Sequence, residues 1–264
     1  MTLQAPTVVI FDMDGTTVRH LNPFVLWLCE NYDDMAYNIS KFFGWIFHRK
    51  AQGPVIPEVD LDRDIRKHQR LLVHRAVHRL RRGSVDEIVE PCPGIINVLN
   101  ILKFNAVPMA LVSNGLGKGY GHDVLRTFEL AHYYDAAIFR EDISKAKPNP
   151  EPILLALREM GVKLKKDDVI WYVGDRHKDI TAALNAAPHL PCTVVPVAVG
   201  MNAAVAAIEK GLGAEHIILS YKDMAERLTN LLKGRVPTKA VANDSASSAR
   251  AQADKPRNLQ AHGQ

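Results

Sequence analysis

Four apolar residues, Val8–Phe11, are followed directly by two aspartates one residue apart, Asp12 and Asp14, and then by Gly15. A run of β-branched and aromatic residues that ends in this way is typical of a buried strand with acidic side chains at its carboxyl end. Open parallel sheets bind ligands at that edge. Because Asp and Gly also favour turns, a strand followed by a polar turn explains this stretch equally well when it is taken alone.

Further apolar segments alternate with helical patterns along the chain. The later predicted strands are Val107–Val112, Ala136–Phe139, Val169–Val173, Thr193–Val199 and Ile217–Leu219. The predicted helices are Gly94–Phe104, His122–Leu130, Pro150–Met160, Ile180–Ala187, Asn202–Gly211 and Met224–Lys233. This alternation is typical of an α/β fold, a doubly wound parallel sheet with helices on both faces.

One connection in this pattern is far too long. About ninety residues separate the first two predicted strands, where a crossover usually needs a dozen or so. Residues 19–90 carry helical patterning and no strand run, so we predict an inserted α-helical cap there, and a core built from residues 1–18 and 91–233. Residues 234–264 are poor in large apolar side chains, and we predict a disordered tail.

Composition narrows the classes of partner. The formal net charge is +4, but the tail from Gly234 to Gln264 carries five Lys and Arg against two Asp. The remaining charge of about +1 makes a nucleic-acid partner an unfavoured interpretation. Three widely spaced cysteines indicate neither a disulfide framework nor a zinc site, and they fit a cytoplasmic protein. We expect neither a signal peptide nor a transmembrane segment.

Polar side chains follow the predicted strands at their carboxyl ends, which share one edge of a parallel sheet. They are Asp12, Asp14, Ser113, Asn114, Lys147, Asp175 and Asp179. Crowded carboxylates repel one another unless a cation neutralises them, and a hard cation such as Mg²⁺ prefers oxygen ligands. A lysine and a hydroxyl beside such a metal suit the oxygens of a phosphoryl group, and a carboxylate is a known nucleophile for phosphoryl transfer.

With these residues in view, the sequence resembles the haloacid dehalogenase-like hydrolases. The four motifs of that family are matched in order by "DMDGT", "VSNG", Lys147 within "AKPNPEP", and "GDRHKD". The resemblance extends from Val8 to about Leu219 and is closest to the phosphoglycolate-phosphatase-like branch, which has a helical C1 cap. It implies a Mg²⁺-dependent phosphatase that hydrolyses a small phosphorylated metabolite through an aspartyl-phosphate intermediate.

The resemblance also implies a role for each motif residue. Asp12 would be the nucleophile and Asp14 the general acid and base. The substrate phosphate would be held by Ser113 and Lys147, with Asn114 beside them, although turn chemistry explains Asn114 equally well. Mg²⁺ would be held by Asp12, by Asp14 through its backbone carbonyl, and by Asp175. Asp179 would act close behind, through water or by orienting Lys147.

Two alternatives stay open from the sequence. A phosphomutase of the same fold would use the same motif residues. The other alternative is non-enzymatic, either an interaction protein that keeps the fold without activity or a polyanion-binding protein that uses the basic segment Leu61–Arg82. The exposed side of an amphipathic helix is the favoured interpretation of that segment. Arg176, His177 and Lys178 add positive charge near the motif aspartates, where smaller or neutral residues are commoner in the family; surface contact is favoured over a substrate role.

Overall fold

The computed structural model describes residues 3–21, 84–115 and 117–233. Most of the predicted cap, the basic segment Leu61–Arg82 and the predicted tail lie outside these residues. The strands are β1 (Val8–Asp12), β2 (Val18–His20), β3 (Val89–Pro91), β4 (Met109–Val112), β5 (Ala136–Ile138), β6 (Val169–Gly174), β7 (Thr193–Val199) and β8 (Ile217–Ile218). The α-helices are α1 (Ile95–Phe104), α2 (Lys118–Thr127), α3 (Glu151–Glu159), α4 (His177–Ala186), α5 (Gly200–Glu209) and α6 (Tyr221–Leu232). Short 3₁₀ helices lie at Val85–Glu87, Ala131–Tyr133, Arg140–Asp142, Ala187–His189 and Ala214–His216.

Six strands form one parallel sheet in the order β5-β4-β1-β6-β7-β8. The first strand of the chain lies inside the sheet, where Ile10 is in register with Ala110 on one side and Tyr172 on the other. Every residue of β1 and β6 is buried, as expected for parallel strands covered on both faces. The doubly wound α/β architecture predicted from the sequence is confirmed.

Alternation along the strands divides the core between the two faces of the sheet. Phe11 and Trp171 point into one cluster, which α1, α2 and α6 cover. Ile10 and Tyr172 point into the opposite cluster, which α3 and α4 cover. The continuous apolar runs in the sequence therefore reflect burial on both faces.

Helix α2 differs from its prediction, since it begins at Lys118 and ends at Thr127, whereas the sequence pattern indicated His122–Leu130. Its first turn is fixed from outside the segment. The backbone N–H of Lys118 donates to Glu141 Oε2 at 2.6 Å, which satisfies a group that a helix start leaves free. A cap supplied from more than twenty residues away leaves no local signal in the sequence.

A two-stranded antiparallel ribbon was missed. β2 pairs with β3 so that Val18 faces Pro91 and His20 faces Val89. The prediction that residues 19–90 contain no strand is wrong at both ends of that segment. Strands of three residues are too short to show a period of two, and their pairing spans some seventy residues of chain.

Within residues 3–21, 84–115 and 117–233, none of the helices is both long and apolar enough to cross a lipid bilayer.

Trp171 supplies a test of the core. Its side chain is fully buried in β6, and its indole Nε1 donates to the carbonyl of Gln4 at 3.0 Å. We expect Trp171→Ala to lower the free energy of unfolding by about 3–5 kcal/mol, because it removes the largest fully buried side chain among the described residues and leaves a cavity. Urea unfolding at equilibrium measures the change.

The matched control is Phe104→Ala at the end of α1. Phe104 is 84% exposed, so its removal should change the unfolding free energy by less than about 0.5 kcal/mol. Similar losses in both variants would contradict the described packing.

Candidate active site

The carboxyl edge of the parallel sheet gathers the polar residues that the sequence placed there. Asp12 ends β1, and Asp14 lies two residues beyond it; Ser113 follows β4, and Asp175 follows β6. Lys147 reaches the edge from the segment before α3. The edge thus places acidic, hydroxyl and ammonium groups close together.

Lys147 forms the centre of the site. Its Nζ lies 2.5 Å from Asp12 Oδ1 and 2.7 Å from Asp179 Oδ1, and it lies over the Tyr172 ring. All three charged side chains are buried: Lys147 is 2% exposed, Asp12 is 7% exposed and Asp179 is 1% exposed. Burial alone would lower the pKa of Lys147, but attraction to both carboxylates outweighs it and holds that pKa well above its usual range. Lys147 is therefore a permanent cation here.

Three carboxylates share this space with one buried ammonium. Oxygens of Asp12, Asp175 and Asp179 all lie within 4.8 Å of one another. Burial, and then repulsion from Asp179, raises the pKa of Asp12 well above its usual range, although Lys147 opposes the shift. Burial and the same repulsion raise the pKa of Asp175 to about 6 against the opposing charge of Arg176. The cluster has the oxygen donors and the excess negative charge that suit a hard divalent cation.

The loops around Asp175 and Asp179 hold these side chains in place. Thr16 Oγ1 donates to Asp175 Oδ1 at 3.3 Å, and Arg176 Nε lies 3.6 Å from Asp175 Oδ2. Asp179 Oδ2 accepts the backbone N–H of Arg176 at 3.1 Å. A Cβ on Gly15 would lie 2.2 Å from Asp175 Oδ2, and Gly15 has a φ of +87°, so this position needs glycine for space and for backbone conformation.

Asp14 has a different set of neighbours. Ser113 Oγ donates to Asp14 Oδ2 at 3.1 Å while it accepts the backbone N–H of Gly115 at 2.9 Å. The other oxygen, Oδ1, lies 3.2 Å from Nε2 of His20. A Cβ on Gly115 would lie 2.3 Å from Asp14 Oδ2, so the close approach of this loop depends on glycine. The two oxygens of Asp14 are thus engaged by a hydroxyl and by a histidine, whereas Asp12 is engaged by Lys147.

Two side chains hold the loop that carries Lys147. Asn114 donates from Nδ2 to the carbonyl of Lys147 at 3.2 Å and accepts the N–H of the same residue at Oδ1 at 3.1 Å. Glu151 is buried and accepts from Ser144 N, Ser144 Oγ and Lys145 N at 2.6–3.0 Å. Asn114 therefore positions Lys147 through its main chain, and its contact with a substrate phosphate stays a prediction.

The structure brings together all seven residues that the sequence predicted for the site. Four supporting residues of the site are not among those predicted, namely Thr16, His20, Glu151 and Tyr172. Glu151 had a signal in the sequence, since it follows Pro150 at a helix start, where an acidic side chain can accept backbone N–H groups. His20 had none, because its contact with Asp14 depends on the unpredicted ribbon.

Comparison with known proteins adds a family to this geometry. Residues 47–190, just over half of the chain, match the family described as haloacid dehalogenase-like hydrolase. Asp12 and Asp14 precede the matched segment. The chain is 24% identical over 182 residues to pyrophosphatase PpaX of Halalkalibacterium halodurans, which is 67% of this chain and 79% of that protein.

Two further curated relatives are named phosphatases. Phosphoglycolate phosphatase of Escherichia coli strain K12 is 26% identical over 155 residues, and the match covers 58% of each protein. The chain thus spans less than two thirds of that relative. Phosphorylated carbohydrates phosphatase of Thermotoga maritima is 26% identical over 165 residues, which is 60% of this chain and 72% of that protein.

Solved structures show the same fold at lower sequence identity. A HAD-superfamily hydrolase from Ehrlichia chaffeensis superposes with a TM-score of 0.53 at 20% identity, over 88% of this chain and 100% of that chain. A family IA HAD hydrolase from Entamoeba histolytica gives 0.51 at 19% identity, with the same shares covered.

The raised pKa of Asp175 predicts how stability depends on pH when no metal is bound. Its pKa in the folded protein lies at about 6, above its usual value of 3.8, so the ionised form opposes folding. With EDTA present at pH 7.5, Asp175→Asn should raise the unfolding free energy by about 1–3 kcal/mol. Between pH 6 and 4 the folded wild type takes up the proton, and this difference should shrink towards zero.

Urea unfolding of both proteins across pH 4–8 measures this difference. Asp167→Asn, which removes an exposed aspartate before β6, is the matched control, and it should change the unfolding free energy at pH 7.5 by less than about 0.5 kcal/mol. A constant or growing stabilisation by Asp175→Asn as the pH falls would contradict the described crowding.

Proposed function

The chain belongs to the haloacid dehalogenase-like hydrolases, and we propose that it is a Mg²⁺-dependent phosphatase that acts on a small phosphorylated metabolite through a phosphorylated Asp12. The observation that carries the proposal is the contact of Lys147 Nζ with Asp12 at 2.5 Å inside a buried carboxylate cluster. A nucleophilic carboxylate needs neighbouring cations, because its substrate is an anion. The phosphatase names of the relatives support the same class of substrate.

The donor set of the cluster fits Mg²⁺. We assign the ion to Asp12, Asp175 and the backbone carbonyl of Asp14. Asp179 already accepts from Lys147 Nζ and from the backbone N–H of Arg176, so we assign it to the orientation of Lys147. When bound, the ion supplies positive charge that neutralises the phosphoryl oxygens and the crowded carboxylates.

The first half of the reaction transfers the phosphoryl group to Asp12. A carboxylate oxygen of Asp12 forms a bond to phosphorus while the bond from phosphorus to the leaving oxygen breaks. The leaving oxygen takes a proton from the carboxylic acid form of Asp14, which becomes a carboxylate. Lys147 and the hydroxyl of Ser113 hold the phosphoryl oxygens. In the described structure the Ser113 hydroxyl donates its hydrogen to Asp14. Because a hydroxyl hydrogen rotates freely, the same group can donate to a phosphoryl oxygen when substrate is bound.

The second half regenerates the enzyme. Asp14, now a carboxylate, takes a proton from water as the water oxygen forms a bond to phosphorus. The bond between phosphorus and the Asp12 oxygen breaks, inorganic phosphate leaves, and both aspartates return to their starting protonation states. The separate neighbours of the two carboxylates support this division of roles.

Substrate choice is a separate element of the proposal. The relatives are named pyrophosphatase, phosphoglycolate phosphatase and phosphorylated carbohydrates phosphatase. All three names refer to small phosphate compounds. We assign the choice among such compounds to the predicted cap, residues 19–90, which lies mostly outside the described residues. Discrimination would then come from contacts with the leaving group, made apart from the reacting carboxylates.

Asp12→Asn tests the nucleophile. The amide is nearly the same size but cannot form the phosphorylated intermediate, so we expect a loss of at least about 4 kcal/mol in transition-state stabilisation, roughly a thousandfold in kcat/KM. The measurement is release of inorganic phosphate from 4-nitrophenyl phosphate with Mg²⁺, repeated with excess EDTA, which should abolish turnover by the wild type.

Asp167→Asn controls for the loss of a carboxylate elsewhere and should retain wild-type turnover. Near-normal rates in Asp12→Asn, or full activity of the wild type in EDTA, would refute the proposed function. Formation of an isomerised sugar phosphate in place of free phosphate from β-glucose 1-phosphate would favour the phosphomutase.

Asp14→Asn tests the general acid. A nitrophenolate leaves almost without a proton, whereas an alkoxide needs one. We therefore expect kcat/KM to fall at least about tenfold further for glycerol 2-phosphate than for 4-nitrophenyl phosphate. Losses of the same size on both substrates would assign the acid to another group.

A further inference from the structure

His20 is a buried polar residue that the proposed reaction does not use. It ends β2 in the ribbon, opposite Val89, and its side chain is 3% exposed. Its ring lies nearly parallel to that of the buried Tyr120, at 12° and 6.4 Å between centroids. Burying an imidazole in such a place costs free energy unless its polar atoms have partners.

The partners of the two ring nitrogens differ. Nε2 lies 3.2 Å from Asp14 Oδ1. In the described part of the chain, Nδ1 is buried and has no hydrogen-bond partner. A hydrogen bond from His20 to Oδ1 of Asp14 uses the tautomer that carries its hydrogen on Nε2. In that tautomer, and among the described residues, His20 has one donor directed at Asp14 and one nitrogen without a hydrogen-bond partner. Packing alone does not favour such an arrangement over an apolar side chain.

We propose that His20 is a positioning residue for Asp14, and the proposal rests on the acid–base role assigned to Asp14 above. His20 holds Oδ1 of the carboxylate through its Nε2–H. The other oxygen, Oδ2, then faces Ser113, which is the side chain assigned to the substrate phosphate. The carboxylate is fixed with one oxygen towards the ribbon and one towards the reacting group.

This arrangement matters because proton transfer depends steeply on geometry. A misplacement of about 1 Å can cost a hundredfold in rate. Asp14 lies in the loop after β1, outside the regular hydrogen bonding of the sheet, and its side chain is 14% exposed. Ser113 cannot fix it during catalysis, since the same hydroxyl is assigned to the substrate. His20 is thus the contact that persists through the cycle.

The kinetic test compares three variants in the full chain. His20→Leu removes the donor at similar volume, and His20→Gln restores a side-chain N–H. His216→Leu is the matched control, because His216 is a partly buried histidine whose Nδ1 lies 2.8 Å from the carbonyl of Pro196, away from the site. For each, kcat/KM is measured on phenyl phosphate and on 4-nitrophenyl phosphate, and thermal unfolding checks the fold.

We expect His20→Leu to lose about 30-fold on phenyl phosphate and about threefold on 4-nitrophenyl phosphate, since only the first needs full proton transfer to its leaving group. The kcat/KM of His20→Gln should recover to within about threefold of wild type, and His216→Leu should change kcat/KM on both substrates by less than about twofold.

In the Asp14→Asn background, His20→Leu should change kcat/KM on neither substrate by more than about twofold, because the two residues act as one unit. Equal losses on both substrates, or the full loss in the Asp14→Asn background, would overturn the proposal.

A second measurement does not depend on turnover. Long-range ¹⁵N–¹H correlation spectra of the imidazoles should show His20 with its hydrogen on Nε2 in the wild type. Hydrogen on Nδ1 alone would overturn the contact. A wild type that hydrolyses no phosphate ester would refute the proposed function, whereas this spectrum still decides whether His20 donates to Asp14.

Discussion

The site depends on one buried ammonium. Asp12, Asp175 and Asp179 come within 4.8 Å of one another at the edge of the sheet, and like charges at that distance oppose folding. Lys147 places one positive charge between two of them, at 2.5 and 2.7 Å, and the loop that carries it is held by Asn114 and by the buried Glu151. Removing one partner of such a buried pair leaves an uncompensated charge. The surrounding loops therefore serve to hold Lys147 as much as to hold the acids. One ammonium does not balance three carboxylates, which leaves a place for a divalent cation.

The parallel sheet explains how these residues meet although they are far apart in sequence. β1 lies between β4 and β6, so the side chains that follow these three strands emerge side by side at one edge. Close approach then requires small residues in the loops. A Cβ on Gly15 would meet Asp175, and a Cβ on Gly115 would meet Asp14. The sheet sets which segments are neighbours, and the glycines set how near their carboxylates come.

The elements that could be predicted from the sequence are those whose residue pattern lies within one short segment of the chain. The runs Val8–Phe11 and Val169–Val173 are continuous and apolar because both faces of the sheet are covered, and such runs are recognisable alone. Two of the four motifs, "DMDGT" and "GDRHKD", begin at the ends of these two strands, so their aspartates could be placed at the sheet edge from the sequence. The start of α2 depends on Glu141, and the ribbon depends on pairing between Val18–His20 and Val89–Pro91. Those interactions join distant segments and leave no periodic pattern. His20 was missed for the same reason, since a lone histidine after a short strand shows nothing of what it will touch.

Two aspartates separated by one residue acquire different surroundings in this fold, and these surroundings support the different roles proposed for them. Strand geometry sends Asp12 into the buried cluster, where Lys147 donates to it. The chain then turns at Gly15, and Asp14 is left in the loop with Ser113 and His20. The ammonium of Lys147 favours the anionic form that the proposed attack by Asp12 needs, against the burial and repulsion that raise the pKa of Asp12. Asp14, held by a hydroxyl and an imidazole, carries the proposed proton transfer. The ribbon that ends at His20 is therefore as much a part of the site as the sheet that ends at Asp12.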